Sequence, residues 1–152
     1  MNVLRRLFLT RATALGAIVI AGVVRPLQAL AAEWNKIAFD AKTLPEALKG
    51  AGLQNAVESK DIIIKAPDIA ENSAVVPVEA HCKIPGAQVI SVFADKNPQP
   101  LIAQFTIAEG VEPYISTRIK MGDTGNIRVI VQAGGKNYSA TKEVKVTIGG
   151  CG

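Results

Sequence analysis

The sequence has little of what nucleic-acid binding, metal binding or unaided catalysis requires. It has one histidine, two cysteines and 5% aromatic residues among its 152 residues. So few aromatic side chains argue against stacking on nucleic-acid bases. A metal site needs three or four converging ligands, and a catalytic Ser-His-Asp or Cys-His arrangement needs a histidine placed as a base. We therefore expect no metal, no cofactor and no catalytic residues that would make the chain an enzyme by itself.

The positive charge of the chain is concentrated at its N-terminus. Four of the 17 basic residues are arginines within residues 1–31, a range without acidic residues, and the other 13 equal the 13 acidic residues in number. The formal charge of +4 therefore belongs to the first 31 residues. A nucleic-acid-binding surface needs clustered basic residues to neutralise phosphates, and the balanced remainder does not indicate one.

The N-terminus has the features of an export signal. Arg5 and Arg6 form a pair, and the mostly apolar run at 12–24 is 13 residues long. That run is too short to span a membrane as a helix, which takes about 20 residues. Ala-Leu-Ala at 29–31 has the pattern of a cleavage site. We predict that residues 1–31 are a cleaved twin-arginine signal peptide and that the mature protein is periplasmic, free of the membrane. A membrane anchor or an ordinary Sec signal are the alternatives.

Alternation of apolar and polar residues predicts strands along most of the remaining chain. Residues 76–84, 115–121 and 127–133 each show the period of two that is typical of a strand with one buried face. Gly134-Gly135 predicts a hairpin turn. Short strands without intervening helices favour an all-β fold, an immunoglobulin-like antiparallel β-sandwich. Seven strands are predicted, near 62–66, 75–84, 89–94, 101–107, 114–121, 125–133 and 136–148, the last one open to division into two.

A short helix is predicted ahead of the strands. Thr43 and Glu46 have the spacing of a capping box, Pro45 fits a first helical turn, and Gly50 and Gly52 end the segment. The predicted organisation is a signal peptide at 1–31, a helical segment at 32–60, the sandwich at 61–148 and a C-terminal arm at 149–152.

The first cysteine and the histidine lie side by side on a predicted strand. Cys82 shares its parity with Val76 and Val78, which predicts a buried thiol that packs as a small apolar residue. Two alternatives stay open, a Cys82–Cys151 disulfide in an oxidising compartment and a second functional thiol. His81 has the opposite parity and is predicted to be a solvated strand residue.

The chain ends on a thiol among glycines. Gly149, Gly150 and Gly152 have no side chain to pack and wide backbone freedom, so they predict a flexible arm whose one side chain is that of Cys151. An extended backbone from Ile148 to Cys151 reaches about 10 Å. The nearby terminal carboxylate disfavours the thiolate, so activation is expected from whatever pocket the arm enters. Such an arm is suited to presenting a covalently held group to other proteins.

Four stretches of the sequence resemble the SoxY family, the sulfur-carrier subunits of the periplasmic thiosulfate-oxidising Sox system. They are the ending VKVTIGGCG at 144–152, KAPDIAEN at 65–72, VFADKNP at 92–98 and STRI at 116–119. The paired arginines of the leader fit the same family. Its members commonly end Gly-Gly-Cys-Gly-Gly, one glycine longer than this chain.

The resemblance implies a function for the arm. Cys151 matches the family's substrate-bearing cysteine, and Gly149, Gly150 and Gly152 match its flexible arm. The family has an immunoglobulin-like sandwich and forms a heterodimer with SoxZ. The haem enzyme SoxXA joins thiosulfate oxidatively to the cysteine, SoxB removes sulfate by hydrolysis, and some systems include SoxCD. By this resemblance the chain is a carrier rather than an enzyme.

Other functions compete with this interpretation. A structural or adhesion sandwich with an idle tail has the same composition. A ubiquitin-like carrier, which forms a terminal thiocarboxylate after adenylation, also ends in glycines, but the export signal and the penultimate Cys151 argue against it. A thiol enzyme is disfavoured because no base is available to activate the thiol.

Overall fold

The structure is a computed structural model that describes residues 35–147. The predicted signal peptide and the predicted arm at 149–152 lie outside this range. Within it the chain forms two short helices and nine strands, in the order α1 (Lys36–Asp40), α2 (Leu44–Gly50), β1 (Val57–Glu58), β2 (Ile62–Lys65), β3 (Ile69–Ala70), β4 (Val76–Cys82), β5 (Ala87–Ala94), β6 (Leu101–Thr106), β7 (Tyr114–Ile119), β8 (Gly125–Ala133) and β9 (Lys136–Val146).

The strands form two sheets, which confirms the predicted all-β sandwich. The larger sheet has the order β1-β9-β8-β5-β6, and β3 also pairs with β9; the smaller has the order β2-β4-β7. The long pairings are antiparallel, whereas β1 and β3 each pair with β9 in parallel. The stretch at 57–70 explains the difference, because it leaves the larger sheet after β1, contributes β2 to the smaller sheet, and returns as β3 in the same direction.

The main core lies between the two sheets. Each sheet contributes the side chains of one parity, as the alternation in the sequence predicts. In β4, for example, Val76, Val78, Ala80 and Cys82 are all buried. The larger sheet faces them with buried residues that include Ile90, Val92, Ile127, Val129, Val131 and Val144.

The two helices cover part of the outer face of the larger sheet. Ala38 and Ala47 pack there against Phe93 and Ile130 in a second buried cluster. A Cβ on Gly50 would lie 3.0 Å from backbone atoms of Ala38, so any other residue would require the two helices to move slightly apart. None of the helices among residues 35–147 is long and apolar enough to cross a membrane.

Helix α2 confirms the predicted cap. Thr43 is its N-cap, and the Thr43 side chain accepts a hydrogen bond from the backbone N–H of Glu46 at 3.4 Å. The prediction of a single helix was incomplete, because α1 precedes it. Helix α1 has five residues, which are too few to show a helical period in the sequence. Its N-cap is Asn35, whose side-chain Oδ1 accepts a hydrogen bond from the backbone N–H of Ala38 at 3.1 Å.

The seven predicted strands are present, and the strand at 136–146 is not divided. The hairpin between β8 and β9 is also as predicted, since Gly134 and Gly135 have φ values of +57° and +74°. Both central residues of a type I′ turn need positive φ. The sequence did not predict β1 or β3, and β1 falls within the range 32–60 that was expected to be helical.

Candidate functional site

The predicted carrier residues Gly149, Gly150, Cys151 and Gly152 lie outside the described residues, but the point from which they extend is well defined. Strand β9 ends at Val146, and Thr147 is the last residue that the structure describes. Cys151 follows four residues later, so an extended backbone carries it at most about 14 Å from Thr147. The described part of the candidate site is therefore the arm root, which we define as Lys145, Val146 and Thr147.

Two neighbouring segments hold the arm root through hydrogen bonds. On the β3 side, the N–H of Lys145 donates to the carbonyl of Asp68 at 2.9 Å, and the N–H of Thr147 donates to that of Ala70 at 3.2 Å. On the β8 side, the N–H of Val146 donates to Oγ1 of Thr124 at 2.9 Å. Because the root is bonded on both sides, it is fixed to the sandwich up to Thr147.

The loop that supplies Thr124 is itself held by side chains from the β5–β6 connection. Asn97 Oδ1 accepts from the N–H of Gly122 at 2.7 Å, and Asn97 Nδ2 donates to the carbonyl of Lys120 at 2.8 Å. Asp95 accepts from the backbone and side-chain nitrogens of Asn126 at 2.8 and 2.9 Å. These bonds fix both ends of the loop that clamps the arm root.

Gly125 permits this arrangement. It pairs with Val144 in the sheet, one residue before the arm root. A Cβ on Gly125 would lie 2.5 Å from Asp95 Oδ1 and 2.6 Å from Lys96 Cγ. Real Cβ atoms do not approach other atoms so closely, so only glycine lets the 95–97 segment lie against the sheet here.

The sequence stretches that carry the family resemblance meet at this end of the sandwich. Residues 65–72 include β3, residues 92–98 include Asp95 and Asn97, and residues 116–119 lead into the loop that clamps the root. They are far apart in sequence, and strand pairing together with the side-chain hydrogen bonds of Asn97 brings them together. The sequence identified these stretches but gave no signal that they surround the arm root.

Two lysines of β9, Lys142 and Lys145, lie close to the arm in sequence, and the first of them is neutralised. Lys142 Nζ lies 2.8 Å from Asp68 Oδ1, and the hydrogen bond and charge of Lys142 hold the pKa of the Asp68 carboxyl below its usual range. Lys145 is exposed and forms no ion pair within residues 35–147. No group of three or more His, Cys, Asp or Glu side chains in that range could hold a metal ion.

Cys82 is a free and buried thiol, as the strand parity predicts. Its side chain is 3% exposed, and its Sγ accepts from the N–H of Ile84 at 3.4 Å. Burial raises the pKa of the Cys82 thiol, which lowers the fraction of reactive thiolate. The structure therefore supports the interpretation of Cys82 as a packing residue rather than a second functional thiol.

Cys82 and the arm root lie at opposite ends of the sandwich. The Val76 end of β4 lies near Ser73, whose carbonyl accepts from the N–H of Met121 in the loop beside the root. Cys82 is at the other end of this seven-residue strand, about 20 Å away. It lines an open groove of about 620 Å³ between the 83–88 and 107–113 segments. A Cys82–Cys151 disulfide would therefore require the arm to run fully extended along the length of the sandwich.

We expect Cys82→Ser to destabilise the protein by about 1–3 kcal/mol, because it places a hydroxyl group where a weakly polar thiol now packs in the core. Urea unfolding followed by circular dichroism measures this change. Cys82→Ala is the matched control, since it removes the sulfur without adding a polar group. Sulfur transfer by the folded protein should be unaffected in both variants, and a variant that lost transfer at unchanged stability would show that Cys82 takes part in the chemistry.

His81 lies on the outer face of the smaller sheet, as predicted. Its side chain is 38% exposed, and Nε2 is 3.1 Å from Oε1 of Glu112. Its ring meets that of Tyr114 edge to face, with the ring centroids 6.3 Å apart. The sequence did not predict these partners, which come from the β6–β7 connection and the next strand. These contacts position the His81 side chain on the surface of the smaller sheet.

Comparison with known proteins agrees with the fold. Residues 47–151, a range that includes Cys151, match the family described as sulfur oxidation protein SoxY. The solved structure of the sulfur carrier protein SoxY from Chlorobium limicola f thiosulfatophilum is similar, with 47% identity and a TM-score of 0.59 over 66% of this chain and 93% of that one. No curated protein sequence matches.

A more distant likeness concerns the fold alone. The superoxide reductase (neelaredoxin) from Ignicoccus hospitalis has 15% identity and a TM-score of 0.50, over 57% of this chain and 80% of its own. The family match, in contrast, covers most of this sequence and extends through its terminal cysteine. The chain belongs to the SoxY family of sulfur oxidation proteins.

Proposed function

We propose that this chain is a periplasmic sulfur carrier that holds thiosulfate-derived sulfur covalently on Cys151 and presents it to the enzymes of a Sox system. Membership in the SoxY family supports the carrier role in general, as does the likeness to a sulfur carrier protein of known structure. The specific assignment to Cys151 rests on one observation above all. The sandwich fixes the chain as far as Thr147, so Cys151 follows a short glycine segment that begins at a defined point.

The chemistry proposed for Cys151 is an oxidative conjugation followed by a hydrolysis. The Cys151 thiolate and thiosulfate form an S–S bond and give a cysteine S-thiosulfonate, and the two electrons released pass to the haem enzyme SoxXA. Water then cleaves the bond between the sulfane and the sulfonate sulfur in SoxB. Sulfate leaves, and a persulfide stays on Cys151. SoxCD, where present, oxidises this persulfide further.

In this scheme the chain is a substrate-bearing subunit and not an enzyme, and it needs no cofactor of its own. The described part of the chain contributes a fixed arm root, and the partner enzymes contribute the activating groups. A free thiol has a pKa near 8.5, so little of it is thiolate at neutral pH. The unloaded carrier therefore stays mostly protonated until a partner's pocket changes the environment of the thiol.

Membership in the SoxY family implies a SoxZ partner in general. We propose a stable heterodimer with SoxZ, and transient complexes with SoxXA, SoxB and, where present, SoxCD. We also propose that residues 1–31 direct export by the twin-arginine pathway and are removed, because the paired arginines and the Ala-Leu-Ala site have the pattern of such a leader.

Reconstitution tests the proposed function. Purified SoxXA and SoxB are mixed with thiosulfate and an electron acceptor, with or without the mature chain and SoxZ. We expect thiosulfate-dependent electron transfer and sulfate release when the mature chain is present, and neither when it is left out. Equal turnover without the chain would instead support a structural or adhesion sandwich with an idle tail.

A further inference from the structure

The two sides of the larger sheet differ in whether other segments of this chain pair with the outermost long strand. At one edge, the outer side of β9 is occupied by β1, where Val57 pairs with Tyr138, and by β3, where Ile69 pairs with Lys145. At the other edge, β6 pairs with β5, and no other strand within residues 35–147 pairs with it. The chain thus closes one edge with its own segments and leaves the other open.

The open edge lacks three of the usual protections against pairing, although the β5–β6 pair has a bulge between Val92 and Phe93. Proteins protect edge strands with charged residues, with proline, or with very short strands. Residues 101–107, with the sequence LIAQFTI, contain no charged residue, no proline and no glycine. The smaller sheet differs, because its edge strand β7 contains Arg118 and its four-residue edge strand β2 contains Lys65, which lies 3.7 Å from Glu79.

The backbone of β6 presents groups that are suited to another strand. The N–H of Ile107 donates to the carbonyl of Gln88 on β5 at 2.8 Å. In an antiparallel pair, consecutive residues point their backbone groups alternately towards and away from the neighbouring strand. The N–H and C=O groups of Gln104 and Thr106 therefore point away from β5. Among the described residues no backbone group pairs with them.

The side chains of β6 define the kind of strand that fits. Phe105, which pairs with the fully buried Ile90, is only partly buried at the margin of the main core. On the opposite face, Gln104 Nε2 donates to Ser91 Oγ at 3.1 Å. A strand beside β6 would complete the burial of Phe105 with an apolar side chain and would meet polar groups on its other face.

We propose that the open edge of β6 is the docking site for an extended, uncharged strand of the partner subunit SoxZ, which continues the larger sheet beyond β6. The inference rests on the proposed function, which gives the chain SoxZ as a stable partner. Recognition by strand addition uses main-chain hydrogen bonds for affinity and alternate side chains for specificity. Both elements are present here, in the backbone groups of Gln104 and Thr106 and in the half-buried Phe105.

Proline substitution tests the edge without breaking the sheet. Thr106→Pro removes an N–H that points away from β5, so the hydrogen bonds between β5 and β6 are kept. Ser116→Pro is the matched control on β7. There the N–H of Cys82 donates to the carbonyl of Pro113, so by the same alternation the N–H of Ser116 points away from β4. Circular dichroism and melting establish that each variant is folded.

The mature chain and both variants are titrated with the cognate SoxZ subunit by sedimentation and calorimetry. We expect Thr106→Pro to weaken the complex at least about tenfold, since one lost main-chain hydrogen bond and a displaced strand each reduce affinity. Ser116→Pro should change it less than about twofold. Equal effects of the two variants on the affinity for SoxZ would overturn the proposal. Self-association of the chain without SoxZ would also overturn it if Thr106→Pro abolished that self-association, because the strand beside β6 would then come from a second copy of the chain.

Amide hydrogen exchange gives a measurement that needs no variant. On addition of SoxZ, we expect the amides of Gln104 and Thr106 to become strongly protected while the amide of Ser116 does not. A complex in which Gln104 and Thr106 still exchange rapidly overturns the docking site, as does the absence of any complex. Mass analysis of Cys151 adducts in the same samples reports on the carrier function separately, so failure of the edge and failure of the carrier role are distinguishable.

Discussion

We expect Cys151→Ser to abolish sulfur loading and to reduce thiosulfate-dependent turnover to background, while the melting temperature stays unchanged. The serine hydroxyl can form neither the S-thiosulfonate nor the persulfide, so no part of the cycle has a substrate. Loss of a covalent nucleophile lowers rates by a factor of 10³ or more. Stability should change by less than about 0.5 kcal/mol, because Cys151 comes after β9 in sequence and is predicted to lie on a flexible arm that packs against nothing.

The comparison variant for this prediction is Cys82→Ala. It removes the chain's other thiol and leaves the terminal one, so loading and turnover should persist at the wild-type level in the folded protein. Turnover is measured as electron transfer from thiosulfate in the reconstituted system, and loading is measured by mass. If the Cys151→Ser protein still loaded sulfur and the Cys82→Ala protein did not, Cys82 would be the sulfur-carrying residue.

Stiffening the arm should slow transfer without affecting the fold. We expect replacement of Gly149 and Gly150 by valine or by proline to reduce transfer to and from the partner enzymes by about 10- to 100-fold. Small misplacements of a reacting group have effects of that size. Glycine contributes a thin profile for entering a narrow channel and a backbone that bends differently in different partners. The arm root, bonded to Thr124 and Ala70, stays as it is in these variants.

The control for arm stiffening is the rate at which Cys151 reacts with iodoacetamide. That small reagent needs no channel, so valine, proline and wild-type arms should be labelled at similar rates. Alanine at both positions should give intermediate transfer, because it adds little bulk and restricts the backbone less than proline. A valine or proline arm that turned over thiosulfate at the normal rate would rule out a mechanism in which the glycine arm reaches into successive partners.

The sequence predicted the elements that have a strong local pattern. Strand β4 alternates cleanly, so its period of two revealed both the strand and the burial of Cys82. The pair Gly134-Gly135 predicted its hairpin because few residues other than glycine tolerate positive φ at both central positions. Helix α2 was predicted from its cap, which lies within four residues of sequence.

Elements that depend on distant partners were not predicted. Strands β1 and β3 have two residues each and exist because β9 supplies backbone groups beside them, so their own sequence shows no period. The hydrogen bonds that hold the arm root also join residues that are far apart in sequence. Thr124 is 22 residues from Val146, and Ala70 is 77 residues from Thr147. A single sequence contains no signal for such pairs.

The most direct test of the carrier role is intact-mass analysis and peptide mapping of the mature protein purified from the periplasm of cells that are oxidising thiosulfate. We expect a mixture of masses that corresponds to free thiol, S-thiosulfonate and persulfide forms, with every addition on the C-terminal peptide that contains Cys151. Reduction should return the mixture to a single mass. A homogeneous, unmodified Cys151, or additions found mainly on the peptide that contains Cys82, would contradict the account.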